Sequence, residues 1–204
     1  MKLIKYVVLA ISLSMVTKGH GKELKLDPRC GNNEKAQRLA TLIMGDARQQ
    51  RTEIRCNKVL TQAAEAKAKL MQKKGIVRHN LGGGPNSWLR DYGYELPDYY
   101  GRVLSNQVEA IAGGYETPES VWRGFKKSKG HREHLLGEFP FYQEQDELGV
   151  AFIREWHSPH VEYWVVYLTK GFKPNQGNPF EGETIPNKGD IVIQPETPNE
   201  VEID

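Results

Sequence analysis

Cysteine is scarce in this 204-residue chain, which has only Cys30 and Cys56. Neither lies near residue 19, where a leader could be cut, and that argues against a lipid-anchored N-terminus. A long apolar run is also missing. Residues 6–16 are almost uninterruptedly apolar, yet a bilayer-spanning helix needs about 20 such residues. No later segment is longer. An excess of one charge is absent too, with 28 Lys and Arg against 26 Asp and Glu, a net of +2. That balance falls short of a nucleic-acid footprint.

The N-terminus has the parts of a secretory signal. Lys2 and Lys5 precede the apolar run, and a cut after Gly19 puts Thr17 at the −3 position. The alternative is an uncleaved N-terminal anchor. The expectation is a secreted or periplasmic protein with no transmembrane segment once the signal is removed. Export also bears on the cysteines, because an oxidising compartment would let Cys30 and Cys56 pair. The segment between them reads as largely helical and would have to double back, so two unpaired thiols stay the alternative.

The chain divides into a signal (residues 1–19), a lead-in (20–33), a main domain (34–170) and a C-terminal tail (171–204). The tail carries two lysines against seven acids, a net of −5, and is rich in Pro, Asn and Gly. It reads as irregular and solvated, with "DIVIQ" as one short added strand. Within the domain, apolar residues at 36, 39, 40, 43 and 47 predict a helix over residues 34–48. A second is predicted from Asn57 to Lys74, ended by Gly75. "GGGPNS" reads as a turn. Thr117 and Pro118 start a third helix, and a fourth runs from Gly130 to Gly137 with Ser128 as its cap. The period then changes to two over residues 147–155 and 161–168, predicting a strand pair. Helices followed by a strand pair define an α+β class.

Several separated segments then line up: the Ala-rich helix ending "KKGIVRH", "GY" at Gly93–Tyr94, "VEAIAGG" around Glu109, "FKKSKGHREHLL" and "ELGVAF". In this order they resemble the CAP superfamily, which unites cysteine-rich secretory proteins, antigen 5 and plant pathogenesis-related class 1 proteins. The low cysteine count and the S-x-G-H-R-x-x-L-L form are similar to its bacterial, SCP-like extracellular branch. The resemblance implies a three-layer α-β-α sandwich around a central antiparallel sheet. It also implies a cleft built by His79, Glu109 and His131. The family's second glutamate has no counterpart, since the matching positions are Phe125 or Ser128, and Glu119 or Glu133 would have to substitute for it in space. The family asparagine after the first glutamate is here Ala110.

Two imidazoles and a carboxylate suit Zn²⁺ or another divalent metal. His79 and His131 are the expected ligands, with Glu109 either a ligand or the group orienting one histidine. The expected function is therefore binding of a divalent metal or a small ligand, such as a lipid or glycan, without catalysis. One alternative is a metal-assisted hydrolase with Glu109 as general base; another is an interaction scaffold with no working cleft. Catalytic residues are not assignable from the sequence. His134 lacks the i, i+4 partner of metalloprotease helices and is expected to pack beside its helix or face water. His157 and His160 read as loop histidines or a weak second metal site. Trp156, Tyr163, Trp164 and Tyr167 read as core aromatics or the lining of a carbohydrate or lipid groove.

Overall fold

The computed structural model describes residues 26–101, 105–187 and 192–195, so the signal segment lies outside the described residues. Asn33 opens the first helix by accepting a hydrogen bond from the Ala36 amide, one of the donors a helix start leaves open. Helix α1 (Glu34–Met44) buries Ala36, Leu39, Ala40 and Ile43. It stops at Gly45, so Ala47 falls beyond it. After the short strand β1 (Arg55–Cys56), Asn57 caps α2 (Lys58–Lys74) by accepting from the amides of Val59 and Leu60. Gly75, at φ 66°, ends α2 in the left-handed conformation.

The glycine-rich run expected to be only a turn launches α3 (Pro85–Asp91). Proline suits the first helical position, where its missing N–H costs nothing. The remaining elements are β2 (Glu109–Gly113), α4 (Pro118–Lys127), α5 (Lys129–Leu136), α6 (Pro140–Gln143), β3 (Glu147–Arg154) and β4 (Glu162–Thr169). Thr117 caps α4 through a reciprocal bond with Ser120. Ser128, expected to cap the fourth helix, makes no capping bond.

The protein is α+β, with one four-stranded sheet in the order β1-β3-β4-β2. β4 pairs antiparallel with β3 and β2, while β1 runs parallel to β3. The sheet is thus mixed rather than wholly antiparallel. The parallel strand escaped the sequence because two residues carry no readable alternation.

β1 also explains the disulfide. Cys30 and Cys56 are bonded, with their Cα atoms 4.6 Å apart, inside the usual range. Both lie along the outer edge of β3, where the Val150 amide donates to the Cys30 carbonyl at 2.9 Å and the Asn57 amide to the Leu148 carbonyl at 2.9 Å. The chain does double back after α1, through residues 45–54, and β3 brings the two sulfurs together.

Alternation along the strands splits the core in two. Trp164, Val166 and Leu168 join residues of α1, α4 and α5 in one cluster. Tyr163, Val165 and Tyr167 join residues of α2 and α3 in the other. Gly149 is what lets α2 lie so close to β3. A Cβ there would stand 2.3 Å from the Thr61 nitrogen and 2.4 Å from the Leu60 carbonyl carbon. The described residues beyond β4 are largely irregular; of the expected "DIVIQ" strand, Asp190 and Ile191 lie outside the described residues, and Ile193 makes a single parallel bridge to Ala112 on β2.

Candidate functional site

Glu109 begins β2 and sits directly opposite Tyr167 on β4. It is wholly buried, as His79 is. Its Oε1 lies 2.7 Å from His79 Nδ1, and its Oε2 accepts from the Tyr167 hydroxyl at 2.5 Å. The Glu109 amide donates to Asn106 Oδ1 at 3.0 Å, and Asn106 Nδ2 lies 3.1 Å from the same His79 nitrogen. His79, Asn106, Glu109 and Tyr167 therefore form one connected polar network at the start of the edge strand.

The loop that carries His79 is held from α2. Lys67 donates to the His79 carbonyl at 2.6 Å and to the Leu81 carbonyl at 2.7 Å. Its ammonium also lies 5.3 Å from the centre of the Trp88 ring, within cation–π range. Sequence reading missed Lys67, although the signal was there. Ala63, Ala64, Lys67, Ala68 and Met71 share the buried face of α2, and a lysine on such a face needs a partner.

His131 comes from α5 on the other side of the β2 edge. Its ring lies 6.4 Å from that of His79, centre to centre, with 28° between planes. Two further contacts set its orientation: Ser128 Oγ is 2.9 Å from His131 Nδ1, and the Phe125 ring is 5.1 Å away. These are the two residues that stand where an acid was sought in the sequence. Glu119 instead pairs with Arg38 at 2.9 Å and Glu133 with Lys129 at 2.8 Å. α5 itself is pinned at its C-terminal end, where Arg51 donates to the carbonyls of His134 and Leu135 at 2.8 and 3.1 Å. A cation there also complements the helix dipole.

The other sequence candidates separate clearly. His134 is buried, with Nε2 2.8 Å from the Leu168 carbonyl and its ring against Tyr142. It packs α5 onto the sheet. Tyr163, Trp164 and Tyr167 are core residues, whereas Trp156 is 69% exposed at the hairpin. Its ring stacks under Arg154 at 4.6 Å. The side chain of His157 is almost fully exposed beside Glu155.

Burial alone would push the Glu109 carboxyl up. The Lys67 charge outweighs it, with the His79 and Tyr167 hydrogen bonds, and the net result lies below the ordinary carboxylate value. Burial lowers Lys67, partly offset by Glu109. Tyr167 is held well above its usual value, by burial first and then by Glu109. The site thus keeps an ionised carboxylate in a dry environment, bonded to one imidazole and one phenol.

Among the described residues, no three His, Cys, Asp or Glu side chains are grouped to hold a metal ion. Glu109 faces His79 Nδ1, the geometry of a carboxylate that orients a histidine. No protein-family model matches the chain, and no curated protein sequence matches it. A solved structure with a similar fold is that of an outer surface protein from Borrelia burgdorferi. It is 19% identical, with a TM-score of 0.52, over 69% of this chain and 96% of that one. Among the described residues, no helix is long and apolar enough to cross a membrane.

Proposed function

We propose that the protein is an exported, non-catalytic binding protein of the CAP type, a three-layer α-β-α sandwich whose His79 and His131 take a divalent metal or a small polar ligand. The observation that carries this reading is the pair of imidazoles 6.4 Å apart with Glu109 fixed on one of them. Two imidazoles on one tetrahedral zinc, at bonds of about 2.0–2.1 Å, lie about 5 Å apart, centre to centre, so the two rings would close by about 1 Å to share an ion. With Glu109 on Nδ1, the coordinating nitrogen of His79 is Nε2. His131 and the ligand or water complete the site. Phe125 in place of an acid favours weak, exchangeable binding. The exported character of the chain rests on its N-terminal signal, and the likeness to the Borrelia surface protein extends to the fold.

Hydrolysis is the second reading, and the position of Glu109 weighs against it. Each of its oxygens is already engaged, one by His79 and one by Tyr167. A general base has to reach a proton on water or substrate. Zinc titration of the metal-stripped protein by calorimetry tests the binding reading, run beside His79→Ala and His131→Ala. One-to-one binding in the micromolar range that both folded variants lose supports it. Binding that is absent, or unchanged in either variant, removes the metal from the proposal.

A further inference from the structure

Most lysines and arginines of α4 and α5 are neutralised by a neighbour. Lys126 pairs with Asp46 at 2.9 Å, Lys129 with Glu133 at 2.8 Å and Arg132 with Glu138 at 3.1 Å. Arg123 and Lys127 have no carboxylate in such contact among the described residues, and both line one pocket of about 470 Å³. Arg123 acts on Glu119 through space, but Arg38 holds that carboxylate at 2.9 Å. The two cations stand four residues apart on α4, a spacing at which like charges repel. The helix dipole favours a cation in the last turn, which accounts for Lys127 and not for Arg123 one turn earlier.

The pocket has the size of a small-ligand site. No Asp or Glu is among the described residues that line it. Its apolar side is Tyr115, Ile193 and Pro195, and Ser128 adds a hydroxyl. Gly124 lets these walls approach the helix, since a Cβ there would stand 2.6 Å from the Tyr115 hydroxyl and 3.0 Å from Ile193 Cδ1. Ser128 makes no capping bond, and its Oγ lies 2.9 Å from His131 Nδ1. A hydroxyl has one hydrogen and two lone pairs, so Ser128 can accept from His131 and donate to a ligand.

We infer that this pocket binds a small organic phosphate, its head between Arg123 and Lys127 and its apolar body against Tyr115, Ile193 and Pro195. A phosphate monoester carries a charge of about −1.5 to −2 at neutral pH, which matches two cations. Its oxygens accept from the guanidinium, the ammonium and the Ser128 hydroxyl. Through Ser128 the phosphate holds the His131 hydrogen on Nδ1 and leaves Nε2 as the coordinating nitrogen. The value of that tautomer rests on the proposed histidine site; phosphate binding itself needs no metal.

The test is a titration of the metal-free full chain with phenyl phosphate, followed in nitrogen-15 spectra. The amides of Gly124 and Ser128 should shift saturably, and the His131 ring nitrogens should move toward the Nδ1–H form. Inorganic phosphate lacks the apolar body and phenol lacks the charge, so each should bind about fivefold more weakly or worse. The double variant Arg123→Gln/Lys127→Gln changes two exposed side chains and should weaken phenyl phosphate about tenfold or more. Ser128→Ala should keep the Gly124 response and lose that of His131, with folding checked by circular dichroism. No saturable shift, equal affinity in the double variant, or equal affinity for phenol overturns the phosphate site. Inorganic phosphate binding as tightly as phenyl phosphate overturns the apolar half of it. Amide shifts without a His131 response sink the link to that ring. Zinc is absent throughout, so a failure of zinc binding counts against the proposed function alone.

Discussion

Tyr167 and Glu109 face each other across the β4–β2 pairing, and the phenol donates to the carboxylate at 2.5 Å. The pairing register itself therefore places the acid: a one-residue slip of β2 would turn Glu109 to the opposite face. Because the same carboxylate holds His79, the sheet orients an imidazole that comes from a loop outside it. This connection is the basis of the first prediction.

Glu109→Gln is expected to destabilise the protein by about 3–5 kcal/mol, the usual cost of removing one partner from a buried charge cluster. Denaturant unfolding measures it. Tyr167→Phe should cost less, about 1–2 kcal/mol, because a hydrogen bond is lost without a charge. Equal losses in the two variants would show that the charge on Glu109 does little.

Lys67→Met keeps most of the volume and removes the cation. It leaves two loop carbonyls without their donor and takes away the largest influence holding Glu109 ionised. The sign follows from linkage. A carboxyl with a lowered folded value gives stability that is present above its unfolded value, about 4.3, and is lost as pH falls through the folded value. In Lys67→Met that loss should set in at higher pH than in the parent. Acid titration of stability in both proteins checks it, and coincident acid limbs would refute it.

Asp46 should shape a separate part of the acid limb. Burial pushes it up, but Lys126 at 2.9 Å and the Arg48 amide at 3.0 Å more than offset this and bring it to about 2. Its contribution, on the order of 1–2 kcal/mol, is complete above about pH 4 and disappears toward pH 2. Asp46→Asn should remove that part of the pH dependence and leave stability at pH 2 nearly unchanged.

Phe125→Glu would put an acid against His131, 5.1 Å from where the phenyl ring now sits. If the site binds zinc, calorimetry should show affinity rising by roughly tenfold or more, since an added anionic ligand favours the cation. The metal-free variant should be less stable by about 3 kcal/mol or more, from the lost aromatic packing. Weaker zinc binding in a folded variant would place the metal elsewhere.

Reducing the Cys30–Cys56 bond should cost about 3–4 kcal/mol, the chain-entropy estimate for a loop of this length. The helix content should persist, because α1 and α2 keep their asparagine caps. Thermal unfolding with and without reductant, beside the Cys30→Ala/Cys56→Ala double variant, measures the effect.

What the sequence determined by itself was local. Asn33, Asn57 and Thr117 mark helix starts because their side chains bond amides two or three residues on. Gly75 and Gly137 mark ends because each takes a left-handed turn. The β3–β4 hairpin was legible because both strands carry long β-rich runs. His79, Glu109 and His131 were legible as candidates through a pattern of motifs, not through spacing. Only the tertiary structure decided that they meet, since a loop, an edge strand and a helix converge through non-local packing. The same holds for the parallel β1 that unites the cysteines, for Lys67 under the His79 loop, and for Phe125 and Ser128 against His131. It holds most of all for the bridge between Ile193 and Ala112, because a short extended segment pairs wherever an open edge awaits it, and only the finished sheet has one.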